Sequence, residues 1–196
     1  MSGLPYTEAS PFVLLHLEEL FDCDAISSAA NPLDGSIGYV GLNNRGSFPA
    51  EDLPPGGAVV EVEGVPFRFP PKDDGLCNSL ELQDQQIEVP RGRYRRLWVL
   101  GVSIALPFRE AIRLIHADGD AEAPFALTDW LSPRPQFGEV VAFQCSRWHF
   151  QGRLIGEYKP IIWMQRIDLD STWLITSLQM PNNPALRVFA LTMEQA

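Results

Sequence analysis

The chain has 196 residues, 45% of them hydrophobic, and a formal net charge of −10. That length and apolar content suit one globular domain with a substantial core and exclude a disordered chain. The acidic balance excludes a nonspecific nucleic-acid binder, which needs a cationic footprint, and no apolar run reaches the length of a membrane span.

The first segment, MSGLPYTEAS, lacks a basic region followed by a long apolar stretch. The expectation is therefore no secretory signal and a cytoplasmic protein. Residues 1–20 read as an N-terminal extension or first strand, because Leu14, Leu15 and Leu17 beside Glu18 and Glu19 suit a short helix or an apolar strand equally. Residues 21–196 read as a single domain. Residues 21–57 are crowded with turn formers, including Asn31-Pro32, Asp34-Gly35 and Pro54-Pro55, around one short expected strand, Ile37 to Leu42.

The stretch Gly46 to Pro70 is the most regular signal. Val60 and Val62 alternate with Glu61 and Glu63, Glu63-Gly64 supplies a tight turn, and Val65, Phe67 and Phe69 resume the alternation. Arg91 to Arg96, RGRYRR, is the one basic cluster, and it reads as a turn and the start of a strand. Leu97 to Ser103 is apolar on both faces and predicts a central strand. Ala111 to Ala117 and Ala121 to Leu127 flank Asp118-Gly119 and predict a second hairpin. Val140 to Cys145, Ile161 to Leu169, Leu174 to Met180 and Leu186 to Met193 follow, with a turn expected at Asn182-Asn183-Pro184. Many short strands, few helical patterns and frequent Gly/Pro/Asn turns predict an all-β, antiparallel β-sandwich, jelly-roll-like.

Taken in order, Phe21-Asp22, Ile26-Ser27, Asn43 to Pro55, Val60 to Pro70, Leu100-Gly101, Asp118-Gly119, Asp129-Trp130, Leu169-Asp170 and Arg187 to Thr192 resemble the β-sandwich modules appended to bacterial glycoside hydrolases such as α-mannosidases and fucosidases. The resemblance implies a carbohydrate-binding type of sandwich, and a structural calcium as the candidate ion. Asn43-Asn44-Arg45 departs from the Phe-Asp-Gly those modules often carry there.

The densest functional-looking group is Arg147, Trp148, Tyr158, Lys159 and Trp163 with His149, since sugars and polycyclic ligands both suit aromatic platforms beside a few polar groups. Trp148 and His149 would share a site only if residues 146–153 form a loop, because neighbours on a strand face opposite ways. Proton-transfer candidates are His149, His116, Glu157 and Asp129. A Cys145–His149 dyad is disfavoured, because four residues of strand span about 13 Å. Asp22, Asp24 and Asp34 are the candidate metal ligands, with carboxylates suited to a hard cation and turn capping as the simpler role. Cys23, Cys77 and Cys145 are odd in number and far apart, so reduced thiols are expected.

The leading expectation is a protein that binds a glycan or small organic ligand in an aromatic-lined cleft, without a covalent cofactor. The alternative is an intracellular enzyme of a natural-product pathway, of cyclase or isomerase type, using acid/base residues in the same fold. A homodimer is the candidate assembly, with neither nucleic acid nor membrane as partner.

Overall fold

The computed structural model describes residues 10–37 and 46–196. In chain order its strands are β1 (Phe12–Leu14), β2 (Ile26–Ser27), β3 (Gly46–Pro49), β4 (Val59–Val62), β5 (Val65–Arg68), β6 (Leu80–Gln83), β7 (Gln86–Gly92) and β8 (Tyr94–Ser103). There follow β9 (Phe108–His116), β10 (Gly119–Leu127), β11 (Val140–Gln144), β12 (Trp148–Phe150), β13 (Arg153–Ile155), β14 (Ile161–Asp168), β15 (Ile175–Gln179) and β16 (Asn182–Gln195). The described residues contain no α-helix, only a 3₁₀ turn at Ala50–Asp52. The protein is an antiparallel β-sandwich, as the strand spacing predicted.

The main sheet runs β1-β16-β8-β14-β11, with β6 also on β16. The second sheet runs β10-β9-β15-β7, and the expected Asp118-Gly119 hairpin joins β9 to β10. Leu97 to Ser103 lies in β8, between β16 and β14, so the central position read from its two apolar faces is the one it occupies. Such a strand needs cover on both sides. The second sheet packs on one side through Phe125 and Leu127. Phe67 and Phe48 belong to the elements on the other, where the β4–β5 hairpin lies against β16 and Phe48 meets Phe189 edge-on at 5.8 Å.

The β4–β5 hairpin turns at Glu63 and Gly64, with φ of 50° and 80°. Two successive positive φ values match the strand twist, and glycine takes the second without steric cost. Pro66 cannot donate to a ladder; its carbonyl accepts Thr192 Oγ1 at 2.7 Å instead.

One expectation is corrected and two are made specific. The ambiguous first segment contains a short strand, Phe12–Leu14, paired with β16. Asn182-Asn183-Pro184, expected as a turn, is the start of β16, paired with β6; the Asn183 side chain donates to Glu110 at 2.7 Å and accepts the Ala185 amide at 3.1 Å. In the RGRYRR cluster Arg91 and Gly92 end β7, Arg93 links the strands and Tyr94 begins β8, so the turn and strand start are as read; Arg95 and Arg96 are both held by Glu194 at 2.5 and 3.1 Å, so these guanidinium groups are already paired. The expected Ile37–Leu42 strand and Asn43-Asn44-Arg45 lie outside the described residues, Ile37 apart.

Candidate functional site

A third, small sheet, β13-β12-β3-β2, buries two serines and a histidine together. β2 and β3 are parallel, Ile26 beside Phe48, while β12 is antiparallel to β3, His149 beside Ser47. Because β12 is a strand and not a loop, Trp148 and His149 point to opposite faces. The expected single cluster is thereby split in two.

The first face is aromatic. Trp148 stacks on Phe150 at 4.7 Å and meets Trp130 edge-on at 5.5 Å and Tyr158 at 6.3 Å. Phe48 continues the group inward, 5.2 Å from Trp130. Gly46 makes room for it: a Cβ there would stand 2.7 Å from Trp148 Cζ3 and 3.2 Å from Trp130. Trp148 is half-buried, and its indole N–H is sealed from solvent without a hydrogen-bond partner among the described residues. Tyr158 remains 46% exposed.

The second face is polar and buried. Ser27 Oγ lies 2.7 Å from His149 Nδ1 and 2.5 Å from Ser47 Oγ. Both serines are fully buried, and His149 is 1% exposed. Burial lowers the imidazole's pKa below the ordinary 6.5, with Arg147 assisting and Glu51, Asp52 and Asp74 opposing. The ring is therefore neutral at pH 7, one nitrogen a donor and the other an acceptor.

Those carboxylates are fixed by hydrogen bonds from distant segments of the chain. The 3₁₀ turn after β3 carries Glu51, which accepts the Ala29 amide at 2.8 Å, and Asp52, which accepts the Ser146 amide and hydroxyl at 2.8 and 2.7 Å. Burial would raise Asp52, but the Ser146 hydrogen bonds outweigh it and leave the carboxyl lowered. Asp74 accepts the Ser28 amide and hydroxyl at 3.0 and 2.7 Å. Lys72 closes the 3₁₀ turn by donating to the Ala50 and Leu53 carbonyls at 2.5 and 3.1 Å. Leu154, opposite His149 in the register, is 39% exposed on this same face.

The other expected site residues are dispersed. Trp163 is fully buried in β14, its indole donating to the Asp129 carbonyl at 3.2 Å, so it is a core side chain and not part of a ligand platform. Asp129 caps a turn by accepting the Leu131 amide at 2.9 Å, and burial raises its pKa. His116 stacks on Trp173 at 5.3 Å in the second sheet, away from β12. Arg147, Glu157 and Lys159 are exposed. Cys145 is buried and its pKa pushed up to about 12, chiefly by burial, so it holds its proton. The imidazole's hydroxyl partner is Ser27, 122 residues away, which sequence reading singled out only as half of an Ile-Ser pair.

Asp22, Asp24 and Asp34 serve separate backbone donors. Asp22 accepts the Glu81 amide at 2.8 Å, Asp24 the Ile26 amide at 3.3 Å, and Asp34 the Gly75 amide. No group of three or more ligand-type side chains among the described residues could hold a metal ion. Asp24, half-buried and also bonded to Asn78 Nδ2 at 2.5 Å, has its pKa raised to about 6, mainly by burial.

A family model described as the AziU2-like beta-sandwich domain matches residues 12–196, nearly the whole chain. The chain belongs to that family. The likeness to glycoside-hydrolase modules thus reduces to the β-sandwich; the AziU2-like match carries no link to glycoside hydrolases or to carbohydrate binding. Comparison with curated proteins returns no match. Within the AziU2-like domain, Ser27, Ser47 and His149 fall inside the matched region, as do all four strands of the small sheet.

Proposed function

We propose that this AziU2-like protein acts on a small organic molecule in a biosynthetic pathway of the azinomycin type, by proton transfer at His149. The observation that carries the reading is the Ser47–Ser27–His149 chain of 2.5 and 2.7 Å contacts, which joins two hydroxyls and an imidazole in one buried hydrogen-bonded line. Family membership supports the biosynthetic setting.

The chemistry follows from the imidazole's two nitrogens. Ser27 fixes Nδ1, so exchange with a substrate falls to Nε2. When the Ser27 hydroxyl donates to Nδ1, Nε2 carries the proton and has no lone pair with which to act as a base. When Nδ1–H donates to Ser27 and Ser27 donates to Ser47, Nε2 is a lone-pair base. From this second tautomer Nε2 takes a proton from the substrate, and the imidazolium so formed returns it from Nε2, which suits an isomerisation or cyclisation that removes a proton at one position and restores it at another. Glu51, Asp52 and Asp74 nearby oppose the burial effect and stabilise the transient imidazolium.

The test is product formation in a producing strain, read by mass spectrometry. His149→Gln should lower the yield by about 10²-fold or more, and Ser27→Ala by roughly tenfold, with the exposed Glu157→Gln unchanged. Full yield from a folded His149→Gln protein would overturn the reading.

A second reading, ligand binding without turnover, is favoured by the exposed Tyr158 beside a half-buried Trp148. It predicts saturable binding on a glycan or small-molecule array that Trp148→Ala and Tyr158→Ala weaken and His149→Gln spares. Retained affinity in both aromatic variants would exclude it.

A further inference from the structure

On the second sheet, away from His149, the ends of β9 and β10 part from β14 and leave a cleft of about 210 Å³. Its walls include Arg109, Glu110, Pro124, Phe125, Phe137 and Gln165. None of these residues lies in the small sheet.

Three polar groups meet there with unspent bonding capacity. Gln165 donates its Nε2 to the Arg166 carbonyl at 3.2 Å, while its Oε1 is sealed from solvent with no partner among the described residues. An unpaired buried acceptor carries the full desolvation cost of its oxygen, so a donor reaching it gains more than a donor in water. Glu110 spends one oxygen on Asn183 Nδ2 at 2.7 Å, and the other makes no hydrogen bond among the described residues. Arg109 lies with its guanidinium 4.4 Å from the centre of the Phe137 ring and forms no ion pair among the described residues. The lining therefore supplies acceptors, a cation, and proline and phenylalanine surfaces.

We propose that this cleft binds a small zwitterion, an α-amino acid with an apolar side chain. Its ammonium meets Gln165 Oε1 and Glu110, its carboxylate meets Arg109, and its side chain lies against Pro124 and Phe137. A volume of 210 Å³ equals the share of about seven liquid waters, enough for such a molecule and too little for an oligosaccharide. An anion alone would leave Glu110 facing it, and a cation alone would meet Arg109. The site goes beyond the His149 reading and stands or falls separately from it.

The test is an NMR titration of ¹⁵N-labelled protein with L-leucine, following the Gln165 side-chain amide and the Arg109 Nε–H. Both signals should shift together and saturate, with an affinity near ~1 mM, within the ceiling for a ligand of that size. Isovalerate and isoamylamine, which each keep one charge, should bind about tenfold more weakly or worse. Arg109→Gln, at an exposed position, should weaken L-leucine about tenfold, and Gln165→Leu should do the same. No saturable shift up to about 50 mM would overturn the proposal. Equal affinities for L-leucine and isovalerate, or an affinity unmoved by Arg109→Gln, would overturn it as well.

Discussion

The main sheet and the small sheet bury their strands by different means. In β16 ten consecutive residues, Ala185 to Glu194, are buried, and most are aliphatic or aromatic on both faces. In β12 and β3 only one face joins that core, through Gly46, Phe48, Trp148 and Phe150, while the other buries two hydroxyls and an imidazole. Apolar burial is additive and tolerant of replacement by similar shapes. A buried polar chain is marginal in stability and exacting in geometry. The first arrangement holds the fold, and the second is expensive to keep unless it is used.

The contrast can be broken or sharpened by substitution. Phe189→Ala, in the shared core beneath Phe48, should lose about 3–5 kcal/mol by urea unfolding, the largest effect. A loss near that of a surface substitution would mean that the two regions do not share one core. Gly46→Ala should cost about 1–3 kcal/mol, since the new methyl meets Trp148, and should red-shift tryptophan emission as the ring is displaced.

Ser27→Ala should cost about 1–3 kcal/mol, because His149 Nδ1 is left buried and unpaired. Replacing the chain as a whole, with Ser27→Ala, Ser47→Ala and His149→Met, should recover most of that loss while removing the proposed proton transfer, for apolar groups of similar shape need no partners. If the triple variant is less stable than Ser27→Ala alone, the polar face is structural.

The smallest effects are in pH dependence. His149 in the fold binds its proton below the usual 6.5, so the protein should lose stability as pH falls through 6.5, and His149→Gln should remove that loss. Asp24 has the opposite sign: its carboxyl is raised to about 6 from 3.8, so the charged form costs stability above pH 6 and nothing below pH 3.8. Asp24→Asn should therefore stabilise by on the order of 1 kcal/mol at pH 7, with the gain gone by pH 4, the half-exposed position screening much of the shift. Denaturation midpoints from pH 4 to 8, wild type minus each variant, separate the two groups. A flat difference for Asp24→Asn would contradict the raised carboxyl.

Much of the sandwich was legible because strand alternation and turn chemistry are local. Val62, Val65 and Phe67 alternate inward with nothing known of their partners, and Glu63-Gly64 dictates its own turn. The strands that escaped, Leu80–Gln83, Gln86–Gly92 and Trp148–Phe150, are short or polar, and their extended form is set by the strands they pair with. The candidate site was legible only in pieces. His149 and Trp148 stood out by residue type, but a two-residue strand at Ser27 carries no chemical signature, and nothing near Ser47 marks it as a partner.

By itself the amino-acid sequence determined an all-β sandwich, the central β8 and its hairpins, because alternation and glycine turns act over a few residues. Only the tertiary structure decided that Trp148 and His149 part to opposite faces, that Trp163 is core, and that the imidazole's partner is a serine 122 residues away. Hydrogen bonds reach about 3 Å and take no account of separation along the chain, so that partnership exists only once β2, β3 and β12 lie side by side.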